Sequence, residues 1–541
     1  MAALLLCTAV LAGCSLPPLV DRPPSSAISE ADAEQTRLGQ ALKPLQDQHP
    51  GESGIYPLAH AYDAYAARAL LARAADRTLD VQYYIWRNDT TGHLLLNELL
   101  QAAQRGVRVR LLLDDGGTSG MDTLLSALDQ HPLIEVRLFN PFAQRTPKFL
   151  GYLTDFSRTQ RRMHNKGFTA DGQASIVGGR NIGDEYFGAT DGVLFADLDV
   201  MATGSVVPEV SREFDRYWSS ASAYPVTLLL PRLPDYSIDK VHQFLHTEAE
   251  RAEAQAYVQA VAQSRFSQDL LSGDLPLYWA ESTLVSDDPA KVLSQAQPQD
   301  LLISQLPAAI GQAKSQLDLV SPYFVPTDAG VKAFAQLHQQ GVRVRILTNS
   351  LEATDVAVVH AGYKVYREPL IAQGIELYEM RRQLDLRAPA AASVEATEQA
   401  SAPGKKRLPS PTASHGGSGP GSAKGSGSSG ASLHAKTFAV DGERLFVGSF
   451  NFDPRSAHLN TELGLVIKHP GLAQQVSGTL DQYLPQMAYH VQLNAQGQLS
   501  WTYQQPTPPH ETLTTTTEPG SSFLQRLTLR ILSWLPIEGF L

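Results

Sequence analysis

"RRMHNKGFTADGQASIVGGRNIGDEYF" runs from Arg161 to Phe187, and "SLHAKTFAVDGERLFVGSFNFDPR" runs from Ser432 to Arg455. The first stretch holds His164, Lys166, Asp171, Gly178 and Asn181; the second holds His434, Lys436, Asp441, Gly448 and Asn451. Each member of the second set lies 270 positions after its counterpart. A single His-x-Lys arises by chance in any long chain. Five positions repeated at identical spacing do not, so the chain contains an internal repeat.

The repeat extends outward from these motifs. "LDVQYYIW" (Leu79–Trp86) reads as a buried strand, "HLLLNELLQAAQRG" as a helix and "VRVRLLLDD" as a second strand. The later half offers "LDLVSPYFVP" (Leu317–Pro326), "VKAFAQLHQQG" and "VRVRILTNS" in the same order, and Gly-Val-Arg-Val-Arg starts at Gly106 and again at Gly341. Strand, helix, strand predicts parallel strands joined by a right-handed crossover. The expected fold class is α/β: two similar sandwich domains, over 55–250 and 251–510, related by a pseudo-two-fold axis and sharing one active site. Gly106 to His164 spans 58 positions and Gly341 to His434 spans 93, so the second half carries 35 more. They fall in 388–432, whose Gly, Ser, Ala and Pro content suits a loop without a core. Its basic cluster, Lys405 to Arg407, reads as solvated.

The residue types in the motif point to phosphoryl chemistry. On a strand, positions i and i+2 share a face, which sets His164 beside Lys166 and His434 beside Lys436. Asp171-Gly172 and Asp441-Gly442 read as hairpin turns, which gives the aspartates a structural look. The returning strands, "ASIVGG" and "RLFVGS", lead to Asn181 and Asn451. One such hairpin carries one imidazole; two, facing each other, make a complete site. A neutral imidazole can attack phosphorus while a protonated one gives its proton to the leaving oxygen. Two lysines and two asparagines can hold the remaining phosphoryl oxygens. A nucleophilic histidine also needs an acceptor on its other nitrogen. Glu462 in "NTELGLVI" and Asp197 in "FADLDVMATG" are the candidates, with Asp199 competing for the second place. No carboxylate cluster calls for a metal, and no cofactor is implied.

Composition narrows the partners. The 541 residues are 43% apolar and 18% charged, with a net charge of -11, which argues against a general nucleic-acid binder. The two cysteines, Cys7 and Cys14, both lie near the start, leaving no disulfide framework. The apolar run of 1–13 is too short to span a membrane and reads as a secretory signal. Leu11 to Cys14, "LAGC", looks like a bacterial lipoprotein box with Cys14 as the lipidated residue, although no Lys or Arg precedes it. A tether of 14–54 would follow. At the other end, 519–541 holds "FLQRLTLRILSWLP", an amphipathic segment suited to a membrane surface.

With both motifs in view, the sequence resembles the phospholipase D superfamily, whose members place two His-Lys-Asp motifs around one active site. "LDVQYYIW", "RRMHNKGFTADG", "VGGRNIGDEYF", "SPYFVP" and "WLPIEGFL" are similar to the bacterial cardiolipin synthases of the C type, from about Ile55 to Leu541. The resemblance implies a catalytic set of His164, Lys166, Asp171, His434, Lys436 and Asp441 and a covalent phosphohistidine, with His164 as nucleophile and His434 as acid. It implies phosphatidylglycerol as acceptor and phosphatidylethanolamine as a possible donor; the lipoprotein box in turn suggests a lipid anchor on the periplasmic side of a membrane. A hydrolase releasing phosphatidic acid is the alternative, and a nuclease a weaker one. The insertion of 388–432 departs from the family pattern.

Overall fold

The computed structural model describes residues 16–20, 22–145, 148, 151, 155–190, 193–382, 430–505, 511–533 and 539. The expected signal, Cys14, almost all of the expected insertion and most of "WLPIEGFL" lie outside the described residues.

The first half contributes β1 (Ser53–Leu58), β2 (Thr78–Tyr83), β3 (Arg108–Asp114), β4 (Ile134–Phe139), β5 (Gly167–Ala170), β6 (Ala174–Gly178), β7 (Val193–Ala196), β8 (Asp199–Gly204) and β9 (Ala223–Pro225). The second contributes β10 (Tyr278–Ser286), β11 (Gln316–Val320), β12 (Arg343–Asn349), β13 (Glu376–Met380), β14 (Gly430–Leu433), β15 (Thr437–Val440), β16 (Arg444–Gly448), β17 (Leu463–Lys468) and β18 (Ala488–Leu493). β19 (Leu499–Gln504) and β20 (Thr512–Thr515) extend its edge. The first sheet runs β9-β4-β3-β2-β5-β6-β8-β1. The second runs β18-β13-β12-β11-β15-β16-β17-β10. The two orders match strand for strand. In each, three strands are parallel and the others antiparallel, so both sheets are mixed. The matching edge strands β1 and β10 pair antiparallel, Ser53 with Ala280 and Ile55 with Tyr278, as a two-fold axis between the halves requires. A core shared by both halves lies along that seam, with Ile55, Val177 and Val200 meeting Leu445, Leu463 and Leu465.

The Gly-Val-Arg-Val-Arg repeat does the same structural job twice. Its glycine follows the C-cap of helix α2 (Thr90–Gln104; α1 is Ala61–Ala74) at φ 101°, and in the second half follows Thr327–Gln339 at φ 88°. Only glycine takes this left-handed conformation without strain. Its second arginine is buried. Arg110 donates from Nε and Nη2 to Asp80 at 2.6 and 2.8 Å, and Arg345 donates from Nε to Asp318 at 2.7 Å. Those aspartates are the ones in "LDV" and "LDL", so each pair clamps two parallel strands. Helices α3 (Ile238–Ala249), α4 (Ala252–Ala262) and α5 (Arg265–Ser272) all pack on the first half's core through Val241, Leu245, Tyr257, Val261 and Phe266. The domain division expected between 250 and 251 therefore falls inside a helical group that stays with the first half. Later helices are α6 (Thr327–Gln339), α7 (Ala357–Tyr363) and α8 (Phe523–Leu532).

Candidate active site

His164 and Lys166 do not lie within a strand, as the spacing predicts. They occupy the extended run just before β5, and His434 and Lys436 sit between β14 and β15. The cause is contact between the halves. The run before β5 bonds to the second half: His164 N–H donates to the Thr461 carbonyl at 2.8 Å, and Thr461 N–H to the Arg162 carbonyl at 3.0 Å. In turn, β14 pairs in parallel with β7, and His434 N–H donates to the Ala196 carbonyl at 2.8 Å. Each motif is thus laid against the segment of the other half that carries a candidate acid.

The imidazoles follow this crossing. His164 Nδ1 lies 2.8 Å from Glu462 Oε2, and His434 Nδ1 lies 2.5 Å from Asp197 Oδ2. Of Asp197 and Asp199, it is Asp197 that contacts the imidazole. Asp199 instead accepts from Arg68 Nη2 at 2.9 Å and from the Arg180 backbone N–H at 3.0 Å. With Nδ1 engaged, Nε2 is the nitrogen through which each ring can act. Both histidines, both lysines and both acids are buried. Each lysine donates to the carbonyl of its own motif's histidine, Lys166 at 2.5 Å and Lys436 at 2.5 Å.

Electrostatics tie the motifs into one site. Burial, helped by Lys166 and then Lys436, holds His164 well below the ordinary imidazole range. Burial and Lys436 bring His434 down to about 4, against the pull of Asp197. Both lysines are lowered, chiefly by burial, and Lys166 also by the charge of Lys436. The two acids differ. Burial raises Glu462 to about 7 in spite of Lys166. Burial also opposes ionisation of Asp197, but His434 and Lys436 outweigh it and hold this carboxyl below the usual range.

Asp171 and Asp441, implied as members of the catalytic set, sit at the turn ends of their hairpins. Asp171 accepts the backbone N–H groups of Asp76, Arg77 and Thr78, each at 2.8 Å. Asp441 accepts those of Lys314, Ser315 and Gln316 at 2.9, 2.8 and 3.1 Å. Both anchor a neighbouring strand from a positive φ, 51° and 56°. Asn181 uses Oδ1 to accept from Ile85 N–H at 3.2 Å and Nδ2 to donate to the Tyr186 hydroxyl at 3.0 Å, leaving one amide hydrogen for an oxygen. Asn451 is buried, and its Oδ1 has no hydrogen-bond partner.

Several neighbours escape a reading of the repeat. Ser449 and Ser456 donate their hydroxyls to Glu462 at 2.5 and 2.7 Å. The first-half position matching Ser449 is Gly179, where a Cβ would strike Asp197. Tyr84 meets His164 edge-on at 5.0 Å between ring centres, and Tyr186 meets His434 edge-on at 5.2 Å. The difference between "VGG" and "VGS" is the one visible signal for Ser449. Among the described residues no group of three His, Cys, Asp or Glu side chains is placed to hold a metal.

Comparison with known proteins adds four findings. A family model described as "Cardiolipin synthase, PLD-like domain" matches residues 68–218, 306–390 and 417–484. Cardiolipin synthase C of Escherichia coli K12 is 45% identical over 93% of this chain and 100% of its own. An uncharacterised Helicobacter pylori protein is 31% identical over 87% of this chain and 86% of its own. Among solved structures, the phosphatidylserine synthase of Haemophilus influenzae Rd KW20 superposes with a TM-score of 0.53 at 15% identity, covering 93% of this chain and 100% of that one, a likeness of fold.

Proposed function

Because the chain belongs to the phospholipase D-like cardiolipin synthase family, we propose that it is a phosphatidyltransferase making cardiolipin from phosphatidylglycerol and a second phospholipid. The observation that carries the chemistry is the crossed pair of imidazole–carboxylate contacts, His164 with Glu462 and His434 with Asp197. His164 Nε2 attacks the donor phosphorus, the bond to the headgroup oxygen breaks, and His434 gives its proton to that oxygen. The primary hydroxyl of phosphatidylglycerol then returns a proton to His434 and attacks phosphorus, and the histidine–phosphorus bond breaks. The unequal acids support this division of roles. An ionised Asp197 pulls a proton towards His434, which burial and Lys436 otherwise bring down to about 4, so His434 takes up its proton once the lipid phosphate offsets Lys436, whereas a Glu462 driven towards neutrality gives His164 less reason to hold one. Lys166 and Lys436 hold the phosphoryl oxygens, and the anion they bind restores the charge that burial takes from them. Asn181 and Asn451 complete the cradle. Asp171 and Asp441 serve by fixing the hairpins.

A membrane surface is the place for this reaction. Helix α8 is amphipathic, and Phe523, Leu524, Leu527 and Ile531 are 74, 69, 43 and 52% exposed along one side. Its other side buries Leu529, and Glu518 just before it accepts from Arg367 Nη2 at 2.7 Å and contacts His360 Nε2 at 2.8 Å. An apolar face held rigidly outward suits an interfacial helix. Lipid on Cys14 would hold the same face at the periplasmic side of the membrane. Among the described residues no helix is long and apolar enough to cross a bilayer.

The test is the product. Purified protein in vesicles of phosphatidylglycerol and phosphatidylethanolamine should yield cardiolipin as the main product. Phosphatidic acid as the main product at every phosphatidylglycerol content would replace the synthase with a hydrolase, because water and lipid compete for the same phosphohistidine.

A further inference from the structure

We propose that Asp287 and Lys291, on the turn that follows β10, form a positioning pair that holds Glu462 against His164 without touching lipid themselves. This rests on the phosphatidyl-transfer reading above, in which His164 attacks phosphorus, and names residues outside the repeat on which that attack depends. "SDDPAKVL" (Ser286–Leu293) leaves β10 and coils into a short 3-10 turn, Pro289–Leu293. Asp287 and Lys291 are both buried, and Lys291 Nζ donates to Asp287 Oδ2 at 2.9 Å. Asp287 brackets the backbone of the acid. Its N–H donates to the Glu462 carbonyl at 3.0 Å, and its Oδ2 accepts Glu462 N–H at 2.9 Å. Lys291 Nζ also donates to the Ser456 carbonyl at 2.8 Å, and the Ser456 hydroxyl is the one that donates to Glu462 Oε1 at 2.7 Å. One ammonium therefore ties down both the backbone partner of Glu462 and a donor that orients its carboxylate.

The same turn is gripped by the first half. The Tyr217 hydroxyl donates to the Asp287 carbonyl at 2.7 Å, and Arg161 Nη1 donates to the Lys291 carbonyl at 3.2 Å. Val292 lies in one apolar cluster with Met163, the residue before His164. His164 and Glu462 come from different halves, so their relative placement needs an element that touches both, and this turn does. A reacting group works only when its neighbours hold it to within about 0.5 Å of the productive geometry. The Asp197 side is held differently. Leu58 pairs with Asp199 and Val285 with Gly464, each two residues after its acid, so His60 stands where Asp287 does. His60 is exposed, and its side chain caps nothing. Arg180 holds Asp197 instead, donating from Nη2 to the Asp197 carbonyl at 2.7 Å and from Nη1 to the Leu58 carbonyl at 2.7 Å. The position 270 residues after Arg180 is Phe450, so neither device is repeated in the other half.

The test reads headgroup release, whichever acceptor then takes the phosphatidyl group. Release from vesicles of phosphatidylglycerol and phosphatidylethanolamine is measured with the full chain, for wild type, Lys291→Met, Glu462→Gln and the two substitutions together, alongside the unfolding temperature of each. Lys291→Met should lower kcat about tenfold, less than an ångström of misplacement costs a reacting group, and leave KM unchanged, because the pair does not touch lipid. Added to Glu462→Gln, it should change kcat by less than about twofold, since a residue that acts through another has no separate effect once that other is gone. Lys291→Met also leaves Asp287 as an unpaired buried charge and should lower the unfolding temperature. Asp287→Asn combined with Lys291→Met removes that charge, and should recover the temperature but not the rate. An equal loss of kcat with and without Glu462, a rate that returns together with the temperature, or a wild-type kcat in Lys291→Met overturns the proposal. A Lys291 coupled to Glu462 in a protein whose main product is phosphatidic acid would support the pair and sink the synthase. An uncoupled Lys291 in a protein that makes cardiolipin would do the reverse.

Discussion

At the scale of single residues, the histidines are defined by what burial does to them. A base whose pKa is depressed in the folded protein stays neutral until the pH falls through that lowered value. His164, the nucleophile, sits well below the ordinary imidazole value of 6.5. The nucleophile therefore remains competent where a free imidazole would already be mostly protonated. The acid limb of kcat/KM, which reports the free enzyme, should lie below pH 6.5. A limb at or above 6.5 would mean that the site opens to water before it reacts. Ser449 offers a second check. Removing its hydroxyl leaves Glu462 with one donor fewer, so Ser449→Ala should lower kcat with little change in unfolding temperature, while Ser449→Thr, which keeps the hydroxyl, should recover it.

At the scale of elements, the hairpin aspartates separate folding from chemistry. Asp171 satisfies three consecutive backbone N–H groups at the start of β2. Asp171→Ala should cost about 2–4 kcal/mol, the price of orphaning partly buried donors, measured by urea unfolding, while protein that remains folded keeps most of its turnover. A folded, fully stable and inactive Asp171→Ala would return this residue to the chemistry. Helix α8 carries its own prediction. Leu524→Glu with Ile531→Glu leaves buried Leu529 untouched, so it should preserve the unfolding temperature and abolish sedimentation with anionic vesicles; undiminished sedimentation would move the membrane contact elsewhere. The elements were also the most legible part of the sequence. Strand, helix, strand and the Gly-Val-Arg-Val-Arg repeat are local patterns, and they appear where periodicity predicts them. The His-x-Lys runs lie outside the strands that their spacing predicts because backbone partners in the other half, Thr461 and Ala196, decide their course. The same distance hides the crossing of the acids. Asp197 and Glu462 are readable as candidates, but nothing local says that each serves the histidine of the other half.

At the scale of the whole molecule, that crossing is measurable. Residues that act through a common contact are non-additive, and distant ones add. A double-mutant cycle on turnover should therefore show strong coupling for His164 with Glu462 and for His434 with Asp197. Coupling of His164 with Asp197 as strong as with Glu462 would contradict the pairing. The seam between the halves, with β1 against β10 and a shared apolar core, holds the two contacts in place together.

The crossing also bears on why neither half suffices by itself. A single half holds a histidine without its acid and an acid without its histidine, so one half alone could work only as a pair of identical copies. Such a pair is symmetric and presents the same face to the lipid that gives and to the lipid that receives. Joining the two halves in one chain removes that constraint. Ser449 against Gly179 and Glu462 against Asp197 are places where the two halves differ. Each lies where an asymmetric reaction has a use for two unlike sides.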